Sequence, residues 1–220
     1  MTDSPMTEQL AHRAIERSVG ERRTEYERET TRIVDATFGL IERTGNLDPS
    51  VREILAETGL STQAFYRYFM SKDELMLALL DEGRRRLVTS LERRIAKASH
   101  PAAQIRAWIG GVLAQASNAS AAARTRPWVM GEGRIGEVFP EQQQASVDLL
   151  VELLVDPIAK MKAADRPSDH PESQNGARAL AVMIYRLTFA TLRFHLTIGE
   201  KPTSAEIDDL VGFCVRGIKS

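Results

Sequence analysis

A single cysteine, Cys214, occurs in 220 residues, which rules out a disulfide within the chain and fits a reducing, cytoplasmic setting. No run of eighteen apolar residues and no secretory apolar segment is present, so the sequence predicts neither membrane spanning nor export. Charge of one sign is also missing, because 29 Lys and Arg oppose 30 Asp and Glu. Any attraction to a polyanion must therefore come from a local face. The four histidines, at 12, 100, 170 and 195, lack a histidine three or four residues away, so no helical metal face is expected. Asp208 and Asp209 are adjacent in sequence, and adjacent helical residues do not converge on one site. There is no G-x-S-x-G and no phosphate-binding P-loop, and no strand precedes Gly131-Glu132-Gly133 as a dinucleotide fingerprint requires. The expectation is a chain without cofactor, metal or enzymatic activity.

What is present is a hydrophobic content of 43%, enough for a sizeable core, arranged almost everywhere at helical spacing. The most informative stretch is Ser50 to Glu74. Ser50-x-x-Glu53 is a capping box, in which hydroxyl and carboxylate each satisfy a backbone donor at a helix start. Val51, Ile54 and Leu55 recur at helical spacing, and Thr58-Gly59 supplies a stop in which glycine takes the left-handed conformation. A second short helix opens at Ser61 and runs to about Tyr68. At about 100° per residue, Phe65, Tyr68 and Phe69 share a side with Ser61, while Gln63, Tyr66 and Arg67 face the other way. Two short helices around a tight turn make a helix-turn-helix unit. Its outward amide, phenol and guanidinium have the chemistry that reads base edges and holds phosphates. A second box, Ser71-x-x-Glu74, starts the next helix. Lys72 in its first turn opposes the helix dipole, which a nearby phosphate would explain and which an inconsequential solvated lysine explains equally.

The remaining pattern predicts an all-α chain of about nine helices, with no strand and no repeat. A helix over Glu21–Thr44 carries Ile33, Thr37, Leu40 and Ile41 on one stripe and completes a three-helix core. A long helix covers 71–99. Its Arg84-Arg85-Arg86 run reads as a solvated face or as ion pairs with Asp81 and Glu82. Helices follow over Ala102–Ala116, Glu141–Ala164 and Ala177–Ile198, and a last one begins at the box Thr203-x-x-Glu206. Pro157 should kink its helix near Leu153 or end it. Ser117–Pro140 is rich in Gly and Pro and should be short helical pieces of the kind that border ligand pockets. Asp165–Gly176 reads as a loop. Residues 1–20 form an N-terminal extension, open between a disordered tail, a helix packed on the body and an arm whose Arg13, Arg17, Arg22 and Arg23 reach along DNA.

The stretch resembles the DNA-binding segment of the TetR family of bacterial transcriptional regulators. The resemblance lies in Val51-Arg52-Glu53-Ile54, Thr58-Gly59-Leu60-Ser61, Phe65-Tyr66-Arg67-Tyr68-Phe69 and Ser71-Lys72-Asp73-Glu74-Leu75, and it covers about Arg22 to Leu80. It departs from the commoner pattern at Gln63-Ala64 and at Met70, which puts any borrowed operator sequence in doubt. The resemblance implies a helix-turn-helix domain over 21–70 and a ligand-binding and dimerisation domain over 71–220, with 71–99 as connecting helix. It implies a homodimeric repressor on a palindromic operator of double-stranded DNA, released by a small, largely apolar effector. DNA contacts would come from Ser50, Arg52, Ser61, Thr62, Gln63, Tyr66, Arg67 and Lys72. The dimer would pair residues 141–164 and 177–198 as a four-helix bundle, with the same seams open to a role in the chain's own core. Bulky side chains around the irregular region, Trp108, Trp128, Met130, Phe139, Met183, Tyr185, Phe189 and Arg193, are the candidates to line an effector pocket, each with ordinary core packing as the competing reading. The rival reading is an all-α enzyme or small-molecule carrier that keeps the helix-turn-helix only as a scaffold.

Overall fold

The computed structural model describes residues 5–165 and 172–219, and the side chains of 16–164 and 176–219. All regular structure among the described residues is helical. The order is α1 (Pro5–Thr44), α2 (Val51–Thr58), α3 (Thr62–Tyr68), α4 (Lys72–Ile95), α5 (Pro101–Leu113), a short 3-10 turn (Ala114–Ala116), α6 (Ala119–Met130), α7 (Glu132–Val138), α8 (Pro140–Asp165), α9 (Glu172–Ile198) and α10 (Ser204–Lys219). The expected all-α class holds, with ten α-helices rather than nine, because the irregular Ser117–Pro140 segment resolves into α6 and α7 around Gly131.

Three other boundaries differ from the sequence reading. The helix expected to begin at Glu21 begins at Pro5, so residues 5–20 of the N-terminal extension are continuous with α1, whose length is 40 residues. Proline is well suited to a first helical turn, and the lone Gly20 weakens a helix by only about 1 kcal/mol. Residues 1–4 lie outside the described residues. In α8, Pro157 does not end the helix. Pro157 is itself buried and stands between Leu154 and Ile158, both fully buried, so packing on both sides outweighs the lost backbone bond. Of the expected loop over Asp165–Gly176, residues 166–171 lie outside the described residues and α9 already begins at Glu172.

The chain divides into two compact units: a smaller one up to Leu40 together with Asp48–Met76, and a larger one from Ile41–Leu47 with the chain from Leu77. In the smaller unit the buried apolar side chains are Ile33, Val34 and Leu40 of α1, Ile54 of α2, Phe65 of α3, Phe69 just after it and Leu75 and Met76 of α4. In the larger unit a continuous core runs through α4, α5, α8, α9 and α10, with Trp108, Ile109, Val151, Leu154, Ile158, Ala177 and Ala181 fully buried. The Trp108 indole donates to the carbonyl of Leu150 at 3.0 Å, which satisfies the one polar atom of that ring in an apolar setting. Burial also pushes the Cys214 thiol up, which makes it a small core residue rather than a nucleophile.

Candidate nucleic-acid interface and a cleft in the larger unit

The turn between α2 and α3 is set by local chemistry. The Ser50 backbone N–H and hydroxyl donate to the Glu53 carboxylate, each at 2.7 Å, while the Glu53 N–H donates to Ser50 Oγ at 3.2 Å. At the other end Gly59 takes φ 68° and its N–H donates to the Leu55 carbonyl at 2.9 Å. The Ser61 Oγ then caps α3 by accepting from the Ala64 N–H at 3.1 Å. At Ser71 only half of the expected box forms. The Glu74 N–H donates to Ser71 Oγ, but the Glu74 carboxylate accepts from the N–H of Met70, one residue earlier.

Hydrogen bonds from the Ser50 hydroxyl and N–H hold the Glu53 carboxyl below the usual carboxylate range. A lowered folded-state value means that the contribution to stability is present above the ordinary carboxylate pKa and is lost as pH falls through the folded value. We expect the melting-temperature difference between the native chain and Glu53→Gln to be largest near neutrality and to close below about pH 4. A difference that stays constant across that range would place the effect elsewhere than in the carboxylate.

Outward from this frame, Phe65 and Phe69 are buried whereas Gln63, Tyr66 and Arg67 are exposed. Tyr66 keeps half its surface and is fixed on one side by the edge of Phe65, with ring centroids 5.3 Å apart. Among the described residues, none bonds to the side chains of Gln63 or Arg67. Arg52 and Thr62 are exposed as well. Ser50 and Ser61 are exposed but committed to their caps. Lys72 is part-buried and donates to Asp48, so its position opposing the α4 dipole has a partner within the protein.

Two residues that the sequence reading passed over hold the motif from α1. Arg32 Nη1 donates to the Thr58 carbonyl at 3.0 Å, at the end of α2. The Tyr26 hydroxyl donates to the Tyr68 carbonyl at 2.9 Å, at the end of α3, and the two rings pack 5.2 Å apart. Both satisfy carbonyls that a helix C-terminus leaves without a partner. Tyr26 was detectable: it lies two turns before Ile33 on the same stripe. Arg32 gave no such signal among the Arg–Glu pairs of its neighbours, Arg23–Glu27 and Arg28–Glu25. Tyr26→Phe should lower stability by about 1 kcal/mol and speed amide exchange at the end of α3, measured by hydrogen–deuterium exchange. Unchanged exchange there would show that the bond does not restrain α3.

The eight bulky effector candidates are not gathered in one place. Trp108 is a core residue, and Met183 is 64% exposed. Tyr185, Phe189 and Arg193 follow one line of α9, with the first two rings 4.5 Å apart and Arg193 paired to Glu132 at 2.6 Å. Burial, reinforced by the Glu132 carboxylate, pushes the Tyr185 phenol up, so it stays neutral. Trp128 and Phe139 are half-buried. Met130 alone among the eight lines a cleft of about 960 Å³ formed within the larger unit by Glu42–Leu47, α6 with the turn before it, and the end of α9 with Gly199–Lys201. Its walls mix charged and polar side chains with small apolar ones, a composition that bulk and apolarity could not have signalled. In the Arg84–Arg86 run Arg84 pairs with Asp81, and Arg85 and Arg86 share Glu82, the ion pairs that the sequence offered.

Among the described residues, the smaller unit thus presents an exposed helix-turn-helix and the larger unit is a helical bundle of its own. Residues 33–79 match the profile of bacterial regulatory proteins of the tetR family. No curated protein sequence matches the chain. Among solved structures, a transcriptional regulator from Pseudomonas aeruginosa PAO1 is similar at TM-score 0.67 and 19% identity, over 88% of this chain and 91% of that one. The fatty acid degradation regulator FadR from Bacillus halodurans is similar at 0.64 and 15%, over 87% and 95%. RolR in complex with resorcinol is similar at 0.51 and 15%, over 89% of each chain. The family match covers the helix-turn-helix segment, and beyond it the likeness to these regulators is one of fold.

Proposed function

We propose that the protein is a homodimeric repressor that binds a palindromic operator in double-stranded DNA and is released by a small molecule held in its larger unit. The observation that carries the reading is the outward face of α3. Gln63, Tyr66 and Arg67 are presented together, without partners for the amide or the guanidinium, beside exposed Thr62 and Arg52. An amide and a guanidinium can each make bidentate contacts to purine edges, and capped helix starts at Ser50 and Ser61 place backbone donors beside phosphates. Lys72, bonded to Asp48, supports the motif and meets a phosphate only if it shares that bond.

A two-fold dimer would set its two recognition helices about 34 Å apart, one turn of DNA. Support for pairing comes from α9. The seams expected at a dimer interface, including Ala177 and Ala181, are consumed inside the chain's own α8–α9 packing. A second stripe is left outside: Met183, Leu187, Phe194 and Ile198 are between 36% and 64% exposed, and with Ala190 they fall within about 80° of one another around the helix. Leu149 of α8 is 46% exposed as well. Apolar side chains in such a line mark a partner surface. By length and composition Gly176–Ile198 could cross a membrane, but Arg178, Arg186 and Arg193 interrupt it, and a DNA partner places the protein in the cytoplasm.

Gel-shift titration with random genomic fragments tests the reading. Sequence-dependent binding that weakens steeply with salt is the expected result. Absence of such binding would sink it in favour of an all-α carrier.

A further inference from the structure

We propose that the cleft of the larger unit takes a small amphipathic organic anion, a carboxylate with an aliphatic or aromatic body, rather than a neutral apolar molecule. Its lining carries four cationic side chains, Arg43, Arg126, Arg134 and Lys201, and two carboxylates, Glu42 and Glu200. Glu42 faces Arg124 at 4.0 Å, which offsets part of its charge. No carboxylate among the described residues pairs with Arg126 or Lys201. Two unpaired cations in one concave site favour an anion, whose charge-assisted hydrogen bonds are about twice as strong as neutral ones.

Lys201 does not hang from a loose loop. Gly199 takes φ 76° and its N–H donates to the His195 carbonyl at 3.0 Å, closing α9. One residue on, the Glu200 carbonyl lies 3.1 Å from Nδ1 of His195, a side chain only 3% exposed. A carbonyl can only accept, so Nδ1 carries the proton and ties the backbone next to Lys201 to the buried ring. Arg126 stands on α6, next in sequence to the buried Pro127, with its side chain exposed in the cleft lining.

The apolar part of the lining is Leu47, Ala122, Pro127 and Met130, an aliphatic wall suited to a hydrocarbon body. Glu42 and Glu200 in the same lining disfavour a polyanion such as a nucleotide. A monocarboxylate satisfies both. The cleft also includes Glu42–Leu47, which the chain follows with Asp48, Pro49 and the α2 cap Ser50. An occupant restraining those residues restrains the entry to the DNA-binding motif. The regulatory role of this occupant rests on the repressor reading, whereas its binding does not.

Isothermal titration calorimetry on the full chain, without DNA, tests the binding. The probes are sodium octanoate and sodium benzoate, their neutral counterparts octan-1-ol and benzamide, and inorganic phosphate. The carboxylates should bind at least about tenfold more tightly than the neutral probes and than phosphate. Arg126→Ala and Lys201→Ala should each weaken the carboxylates about tenfold, with Arg126→Lys recovering part of the loss. Melting followed by circular dichroism checks that each variant folds, and Arg126→Gln replaces any alanine variant that does not. Equal binding of neutral probes or phosphate, no carboxylate binding, or variants without effect would each overturn the inference. Gel shifts on the same samples separate the two readings. Carboxylate binding without DNA binding would defeat the repressor reading alone, and DNA binding without carboxylate binding would defeat this one alone.

Discussion

Phe194→Glu should convert the protein to a monomer and weaken operator binding by about a hundredfold or more, because each recognition helix would then bind its half-site without the other. The side chain is 56% exposed and lies in the middle of the α9 stripe between Leu187 and Ile198. A two-fold interface brings that stripe against its own copy, so one substitution introduces two carboxylates into a single apolar contact. The chain's own core does not include Phe194, so the monomer should keep its helicity. Sedimentation gives the oligomeric state and fluorescence anisotropy the affinity for a selected operator. A Phe194→Glu protein that sediments as the native species and binds equally well would move the interface elsewhere. A protein that becomes monomeric yet binds unchanged would show that one α3 suffices.

Arg67→Ala should cost about 1–3 kcal/mol in operator binding, or roughly 5- to 150-fold, while changing stability by less than about 0.5 kcal/mol. The prediction depends on the asymmetry of α3. Phe65 on its inner side is fully buried, whereas Arg67 in the last turn is exposed and unpaired. Removing an unpaired surface guanidinium leaves nothing unsatisfied behind. If Arg67 reads a base edge, the loss will depend on sequence at one operator position. If it holds a phosphate, the loss will be uniform and the salt dependence shallower. A large fall in melting temperature would mean that the guanidinium is structural, against its exposure.

Most of the smaller unit was legible because its signals are local. The boxes at Ser50 and Thr203 and the glycine stop at Gly59 each depend on residues within a turn of one another, and all three formed. The inward Phe65 and Phe69 and outward Gln63, Tyr66 and Arg67 followed from helical periodicity alone. Of the two outcomes open at Pro157, a kink or an end, the helix does not end there, because a proline's local preference is weak against burial on both sides. The proposed dimer face and effector site were hidden for a different reason. Periodicity identifies an apolar stripe but not which neighbour covers it, so the α8 and α9 seams read equally as an interface or as core, and Ala177 and Ala181 are core. Bulky apolar residues near a Gly- and Pro-rich segment indicated packing rather than a pocket, as Trp108 illustrates. The cleft is assembled from three segments far apart in sequence, and the charged residues in its walls have no spacing that a linear reading detects.

At Gly131, where α6 meets α7, an added Cβ would stand 2.0 Å from a methyl carbon of Leu47 and 2.9 Å from the Pro127 carbonyl oxygen. Any side chain at 131 would have to push Leu47 aside, so glycine is what lets the α6–α7 corner pack directly against the residue leading to Asp48. Leu47 is only three residues from Ser50, so the room that a larger residue at 131 would take is room beside the chain that leads into α2.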